Sequence, residues 1–233
     1  MNEIKSVSHV LLRAPVLLLF LLVIHLLPLA FAQSAADIYT MSEDDLSNQE
    51  DSLYTSSYLQ LPKQSDAPAE VVEFFYYGCP HCFRAEKMVS DLRKDLVSEG
   101  KFQVIQVPAV FPKNEKWVEA AQLYYTAQSL GVEKDFTPKY FQAIHVAKKP
   151  LGMSTALPIF ESLGVSSLKV KQVMRSFGVK ARVQSAIRLT SMANLNGVPH
   201  FVVNQTYHTN VEMAGGYSKL RALITRLKDL NRP

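Results

Sequence analysis

A chain of 233 residues, 48% of them hydrophobic, has room for one folded domain or for one domain with an insertion. Its 25 basic and 21 acidic side chains leave a formal charge of +4, too weak a bias to argue for nucleic acid. With only two cysteines there is no second pair to complete a structural zinc site.

Residues 1–32 read as an export signal peptide. Lys5 and Arg13 give a positive start, Val16 to Leu27 is almost wholly apolar, and Pro28 breaks the helix. Ala30-Phe31-Ala32 then offers a small-x-small cleavage site before Gln33. The rival reading is an uncleaved membrane anchor, because Ala14 to Ala32 is nearly long enough to span a bilayer. His25 and Pro28 inside that stretch, and the Ala-x-Ala after it, favour cleavage. No cysteine follows the apolar run, so a lipid anchor is not supported. Cleavage would remove Glu3, Lys5 and Arg13, leaving 201 residues with a net charge of +3.

Residues 33–57 form an acidic N-terminal arm. Asp37, Glu43, Asp44, Asp45, Glu50 and Asp51 meet no basic residue before Lys63, while Ile38, Met41, Leu46 and Leu53 have imperfect helical spacing. Two readings stay open: a solvated arm, or one that pairs subunits into a homodimer or covers part of a groove. Tyr58 to Leu61 fits a short edge strand and Gln64 to Pro68 a loop.

Val71 to Gly78 reads as a buried strand, and Phe83 to Gly100 as an amphipathic helix with Met88, Val89, Leu92, Leu96 and Val97 on its apolar face. A second strand is expected over Phe102 to Val107, closed off by Pro108 and Pro112. Residues 114–195 carry no convincing strand. Trp117, Ala120, Ala121, Tyr124, Tyr125 and Leu130 recur at helical spacing, with Gly131 as a stop. Further helices are expected over Phe136 to Ala147, Ala156 to Leu163, Leu168 to Phe177 and Lys180 to Leu195. Strands return at Val198 to Val203 and Tyr207 to Met213. Asn204-Gln205-Thr206, which matches a glycosylation sequon, reads as the hairpin turn between them. Gly215-Gly216 leads into a last helix over Tyr217 to Leu230. The order predicts an α/β fold with residues 58–113 and 196–233 as its two parts, interrupted by a helical insertion at 114–195.

Cys79-Pro80-His81-Cys82 holds both cysteines at the first strand-to-helix junction. A helix N-terminus presents free N–H groups and a favourable dipole to an anion, and the anion here is a thiolate. Haem attachment needs a histidine directly after the second cysteine, where Phe83 stands. A purely structural bridge would close only a four-residue loop and stabilise by roughly 2 kcal/mol, against about 4.7 for a 100-residue loop. Dithiol–disulfide redox chemistry is the reading that remains, and export would place it in an oxidising compartment. Pro80 suits the first helical turn, where its missing N–H is no loss. His81 can donate towards the Cys79 sulfur and stabilise the thiolate; the bland alternative is an exposed helix-start histidine.

Val72-Glu73-Phe74-Phe75, then Cys79-Pro80-His81-Cys82, then Gly197-Val198-Pro199 after a helical block resemble the DsbA family. These are thioredoxin-fold thiol:disulfide oxidoreductases of the bacterial periplasm. The resemblance covers about residues 58 to 231 and implies a thioredoxin-like fold with an inserted α-helical domain. It implies that Cys79 is the exposed nucleophile and Cys82 the shielded resolving thiol. It also implies a cis Val198-Pro199 bond facing the Cys79-Cys82 disulfide, where an extended substrate can pair. Glu73 matches an acid that moves protons in the family, against the alternative of a strand-end carboxylate in water. Glu86 matches another, although a helix-surface role is the simpler reading. Val104 is read at the place where some members carry a lysine, which puts charge pairing with Glu73 in doubt. The resemblance implies no metal or organic cofactor. As partners it implies reduced, unfolded exported proteins and a DsbB-like, quinone-coupled membrane oxidase. Two other activities fit the same residues: a disulfide isomerase, dimeric through the arm, and a non-catalytic peptide-binding holdase using the Pro199 groove.

Overall fold

The computed structural model of the chain describes residues 59–60, 70–98, 103–111 and 113–230. The expected signal peptide, its cleavage site, the acidic arm and the Gln64 to Pro68 loop lie outside these residues. Five strands form one mixed sheet: β1 (Leu59–Gln60), β2 (Glu70–Phe75), β3 (Gln103–Pro108), β4 (His200–Val203) and β5 (Tyr207–Asn210). Their order across the sheet is β1-β5-β4-β2-β3. β2 runs parallel to β3, and the other neighbours are antiparallel. The helices are α1 (Pro80–Ser98), α2 (Glu115–Ser129), α3 (Glu133–His145), α4 (Met153–Ser162), α5 (Ser167–Met174), α6 (Phe177–Met192) and α7 (Tyr217–Leu227).

Helices α2 to α6 follow one another between β3 and β4, so the sheet is assembled from two parts of the chain far apart in sequence. Two apolar clusters result. In one, Val71, Phe201, Val203 and Tyr207 of the sheet meet Met88, Val89 and Leu92 of α1 and Leu220, Leu223, Ile224 and Leu227 of α7. In the other, Phe74, Phe75, Tyr77 and Cys82 join Tyr124, Phe136, Tyr140, Phe141 and Phe160 of the inserted helices. Cys82 thus belongs to the core that ties the insertion to the sheet.

Local chemistry explains where the elements differ from the expected spans. The helix expected over Leu168 to Phe177 breaks at Arg175, because the Ser176 hydroxyl accepts from the Val179 N–H and starts α6. Phe177 then opens α6 and is 86% exposed. Such a serine cap satisfies an otherwise orphaned N–H. β4 begins at His200, not Val198, since Pro199 has no N–H to offer the ladder. β5 ends at Asn210, whose Oδ1 accepts from the Met213 N–H as the chain turns away. The hairpin has two central residues, Asn204 and Gln205, with φ of 52° and 59°. This is the positive-φ pattern of tight hairpins, closed by Thr206 N–H donating to the Val203 carbonyl at 3.1 Å. The Asn204 amide donates to the carbonyls of Leu227 and Lys228 at the end of α7, at 3.1 and 3.2 Å, so the sequon asparagine serves as turn and helix cap.

Candidate active site

The junction between β2 and α1 carries the two cysteines, both as thiols. Cys79 is part-exposed in the turn and Cys82 is buried, 1% exposed, one helical turn further on. The Cys82 N–H donates to the Cys79 sulfur at 3.4 Å. The Cys79 thiol donates to the Val198 carbonyl at 3.2 Å, and the Val198-Pro199 bond is cis. One loop from each part of the chain therefore meets at this sulfur.

The two thiols are pushed in opposite directions. The Cys79 thiol is lowered from an ordinary value near 9 to about 6. The Cys82 thiol hydrogen-bonding to it contributes most, burial opposes, and the main-chain N–H groups of Cys82 and His81 add to the lowering. A positive charge on the His81 ring would contribute last. Burial pushes the Cys82 thiol far up, and the neighbouring Cys79 reinforces this. One sulfur is thus suited to leave as an anion and the other to hold a proton.

His81 is exposed, and its ring is engaged elsewhere. Arg84 Nη2 lies 2.9 Å from His81 Nδ1, so the imidazole is tied to Arg84 and does not donate to the Cys79 sulfur from that nitrogen. Pro80 occupies the first position of α1, as expected from its missing N–H.

Glu73 lies on β2, 1% exposed and walled in beneath α1, which rules out a strand-end carboxylate in water. Burial pushes its carboxyl up to about 8, and the nearby Glu86 carboxylate adds to that. Gln106 Nε2 donates to Glu73 at 2.8 Å and reaches Glu86 at 3.4 Å, while Arg93 donates to Gln106 Oε1 at 2.7 Å. Glu86 is accordingly half-buried and faces this cluster, contrary to the helix-surface reading. The strand register corrects a second expectation. Glu73 pairs with Gln106, and Val104 sits opposite Val71, so the residue facing Glu73 from β3 is Gln106. Arg93, Gln106 and their link to Glu73 carried no sequence signal, because only the β2–β3 register brings them together.

Two further residues went unrecognised in the sequence. His145, at the end of α3, lies 2.8 Å through Nε2 from the Tyr77 carbonyl and stacks on Phe83, ring centres 5.1 Å apart. It joins the insertion to both flanks of the cysteine turn. Tyr76 stacks on Trp117 of α2 at 3.9 Å, and its ring fills the space where a Cβ on Gly78 would stand, 2.5 Å away. Among the described residues no group of three or more His, Cys, Asp or Glu side chains is placed to hold a metal.

The family model described as a DSBA-like thioredoxin domain matches residues 101–228. The Bordetella pertussis thiol:disulfide interchange protein DsbA is 40% identical over 157 residues, covering 66% of this chain and 73% of that protein. The chain belongs to the DsbA family. The crystal structure of Pseudomonas aeruginosa DsbA superposes with a TM-score of 0.63 at 29% identity, covering 74% of this chain and 91% of that one. A structure of Proteus mirabilis DsbA with a bound peptide, PWATCDS, shares the fold at 22% identity and a TM-score of 0.60. A DsbA-type thioredoxin fold interrupted by helices is the architecture here, and thiol:disulfide interchange is the activity.

Proposed function

We propose that this member of the DsbA family works as a dithiol oxidase on exported proteins, with Cys79 as the sulfur that substrates attack. The observation that carries the reading is the contrast between an accessible Cys79 whose thiolate is favoured and a buried Cys82 whose thiolate is not. A substrate thiolate attacks the Cys79 sulfur, breaking the Cys79-Cys82 bond and forming a mixed disulfide. Cys82 departs with the bonding electron pair and takes up a proton, which Glu73, held protonated by its burial, is placed to supply. A second substrate thiolate then attacks the substrate sulfur. The substrate's disulfide forms and Cys79 leaves as thiolate. Two substrate thiols have been oxidised and one enzyme disulfide reduced.

Val198 and Pro199 form the side of the groove against which an extended substrate lies; the peptide-bound Proteus mirabilis relative supports a peptide partner. Residues 58–113 and 196–233 act as one redox unit, and 114–195 as its insertion. The export signal at 1–32 delivers the protein to the periplasm, where a DsbB-like quinone-coupled oxidase restores the disulfide. Among the described residues no helix is long and apolar enough to cross a membrane.

Cys79→Ser is expected to abolish oxidative refolding of a reduced test protein. Cys82→Ser, first loaded at Cys79 as a mixed disulfide with glutathione, should exchange glutathione for a substrate cysteine and accumulate an enzyme–substrate mixed disulfide, seen as a thiol-sensitive band on a non-reducing gel. Retained turnover in Cys79→Ser would contradict the assignment.

A further inference from the structure

The N-terminus of α1 is held by a three-membered ring of hydrogen bonds that reaches across the fold. Arg84 donates through Nη2 to His81 Nδ1 at 2.9 Å and through Nε to the Tyr217 hydroxyl at 3.2 Å. That hydroxyl donates to the His81 carbonyl at 3.2 Å. Tyr217 is the first residue of α7, and the chain reaches it through Gly215 and Gly216, whose φ angles of 73° and 126° exclude ordinary side chains. The two glycines thus bring α7 back onto the redox helix at the cysteine turn.

The chemistry of the ring fixes the imidazole. A guanidinium has donors only and keeps its proton in proteins. The nitrogen facing it must therefore accept, which leaves His81 Nδ1 without a proton. Arg84's second bond, to Tyr217, keeps the fork in place. Among the described residues, the titratable and charged groups that face His81 are Arg84 on its own helix, Tyr217 of α7 and Cys79.

We propose that Arg84 is a positioning residue that moderates the oxidising strength of this protein, by holding the His81 ring as an acceptor at Nδ1 and so keeping that ring from turning a donor on the Cys79 sulfur. In this chain the sulfur relies first on the Cys82 thiol and on main-chain N–H groups, and the His81 ring contributes least. The inference rests on Cys79 being the attacked sulfur, which the serine variant above tests separately.

The experiment is an ultraviolet titration of the Cys79 thiolate in purified wild-type protein, Arg84→Ala, Tyr217→Phe, His81→Ala and the Arg84→Ala/His81→Ala double variant. All three positions lie at the surface of the cysteine turn, and circular dichroism checks that each variant is folded. Freed from the clamp, His81 turns its donor on the sulfur. Arg84→Ala is expected to ionise at lower pH, with an ionisation constant raised at least threefold, a shift of about half a pH unit. Equilibration with glutathione should show a more oxidising protein in the same order. Tyr217→Phe, which keeps the arginine's charge and removes its anchor, should shift the same way by less. In the double variant the shift should vanish, the signature of coupling between neighbouring groups. Loss of a nearby cation alone would move the midpoint upward. An unchanged or raised midpoint in Arg84→Ala, or an equal downward shift when His81 is absent, overturns the proposal.

Discussion

Cys79 and Cys82 are separated by one helical turn, yet their surroundings divide the work of a disulfide between them. Cys79 lies at the open end of α1 among N–H donors, and Cys82 lies in the core shared with Phe75 and Tyr77. Lowering Cys79 from near 9 to about 6 corresponds to roughly 4 kcal/mol of thiolate stabilisation, reduced by solvent screening at this half-buried position. Glu73 shows the opposite perturbation. Its carboxyl, raised from the usual 4.5 to about 8, stays protonated in the folded protein while the unfolded chain ionises. The native state then binds more protons than the unfolded one between those values, so stability falls as pH rises through that window. In the oxidised protein, where Cys79 has no proton to lose, urea unfolding should show lower stability at pH 8 than at pH 5. Glu73→Gln keeps an acceptor for Gln106 and removes the titration, so it should shrink that difference by about 1 kcal/mol or more. An undiminished difference would place the titrating group elsewhere.

At the scale of elements, the cysteine turn is braced from both sides of the chain. Tyr76 and Trp117 stack β2's end onto α2, and His145 fastens α3 to the Tyr77 carbonyl. Gly78 is required there because the folded-back Tyr76 ring occupies its side-chain space. Trp117 is the single tryptophan in the chain, so its fluorescence reports this contact directly. Gly78→Ala is expected to push the Tyr76 ring off the indole and change the emission of the folded protein, with slower thiol exchange. An emission spectrum identical to wild type would show that the ring is not held as described. Much of this layer was legible in the sequence, because it follows from periodicity and punctuation. The apolar spacing of Met88, Val89 and Leu92 announced α1, whereas the loop at Gly197-Val198-Pro199 was placed against the cysteines by the family resemblance alone. Asn204 and Gln205 were legible as a turn through their turn chemistry. The boundary at Ser176 was missed because Leu168 to Phe177 keeps a helical spacing across the break, and only the cap geometry ends one helix and begins the next. The Arg84–Tyr217 bond joins residues 133 positions apart. The Glu73–Gln106 pair depends on a strand register that one residue of slip would destroy. Neither leaves a trace in local composition.

For the whole molecule, the redox direction follows from which form folds better. In the reduced protein, Cys79 ionises near 6 when folded and near 9 when unfolded. Its stabilising contribution is complete above the unfolded value and is lost as pH falls through the folded one. It amounts to roughly 1.4 kcal/mol at pH 7, before screening, and grows towards higher pH. The oxidised protein has no such contribution. The excess stability of the reduced over the oxidised form should therefore widen between pH 6 and pH 9, which guanidinium unfolding of both forms can follow. A gap that stays constant with pH would detach the thiolate from the driving force. Two parts of the chain build this difference together: α1 supplies the donors to Cys79, and the insertion supplies the walls that bury Cys82.

The most direct measurement is the absorbance of the thiolate at 240 nm as reduced protein is titrated, with Cys79→Ser as the blank. A single ionisation near pH 6, absent from the blank, is expected. A midpoint close to 9, that of an unperturbed thiol, would mean that the cysteine turn does not stabilise the Cys79 thiolate.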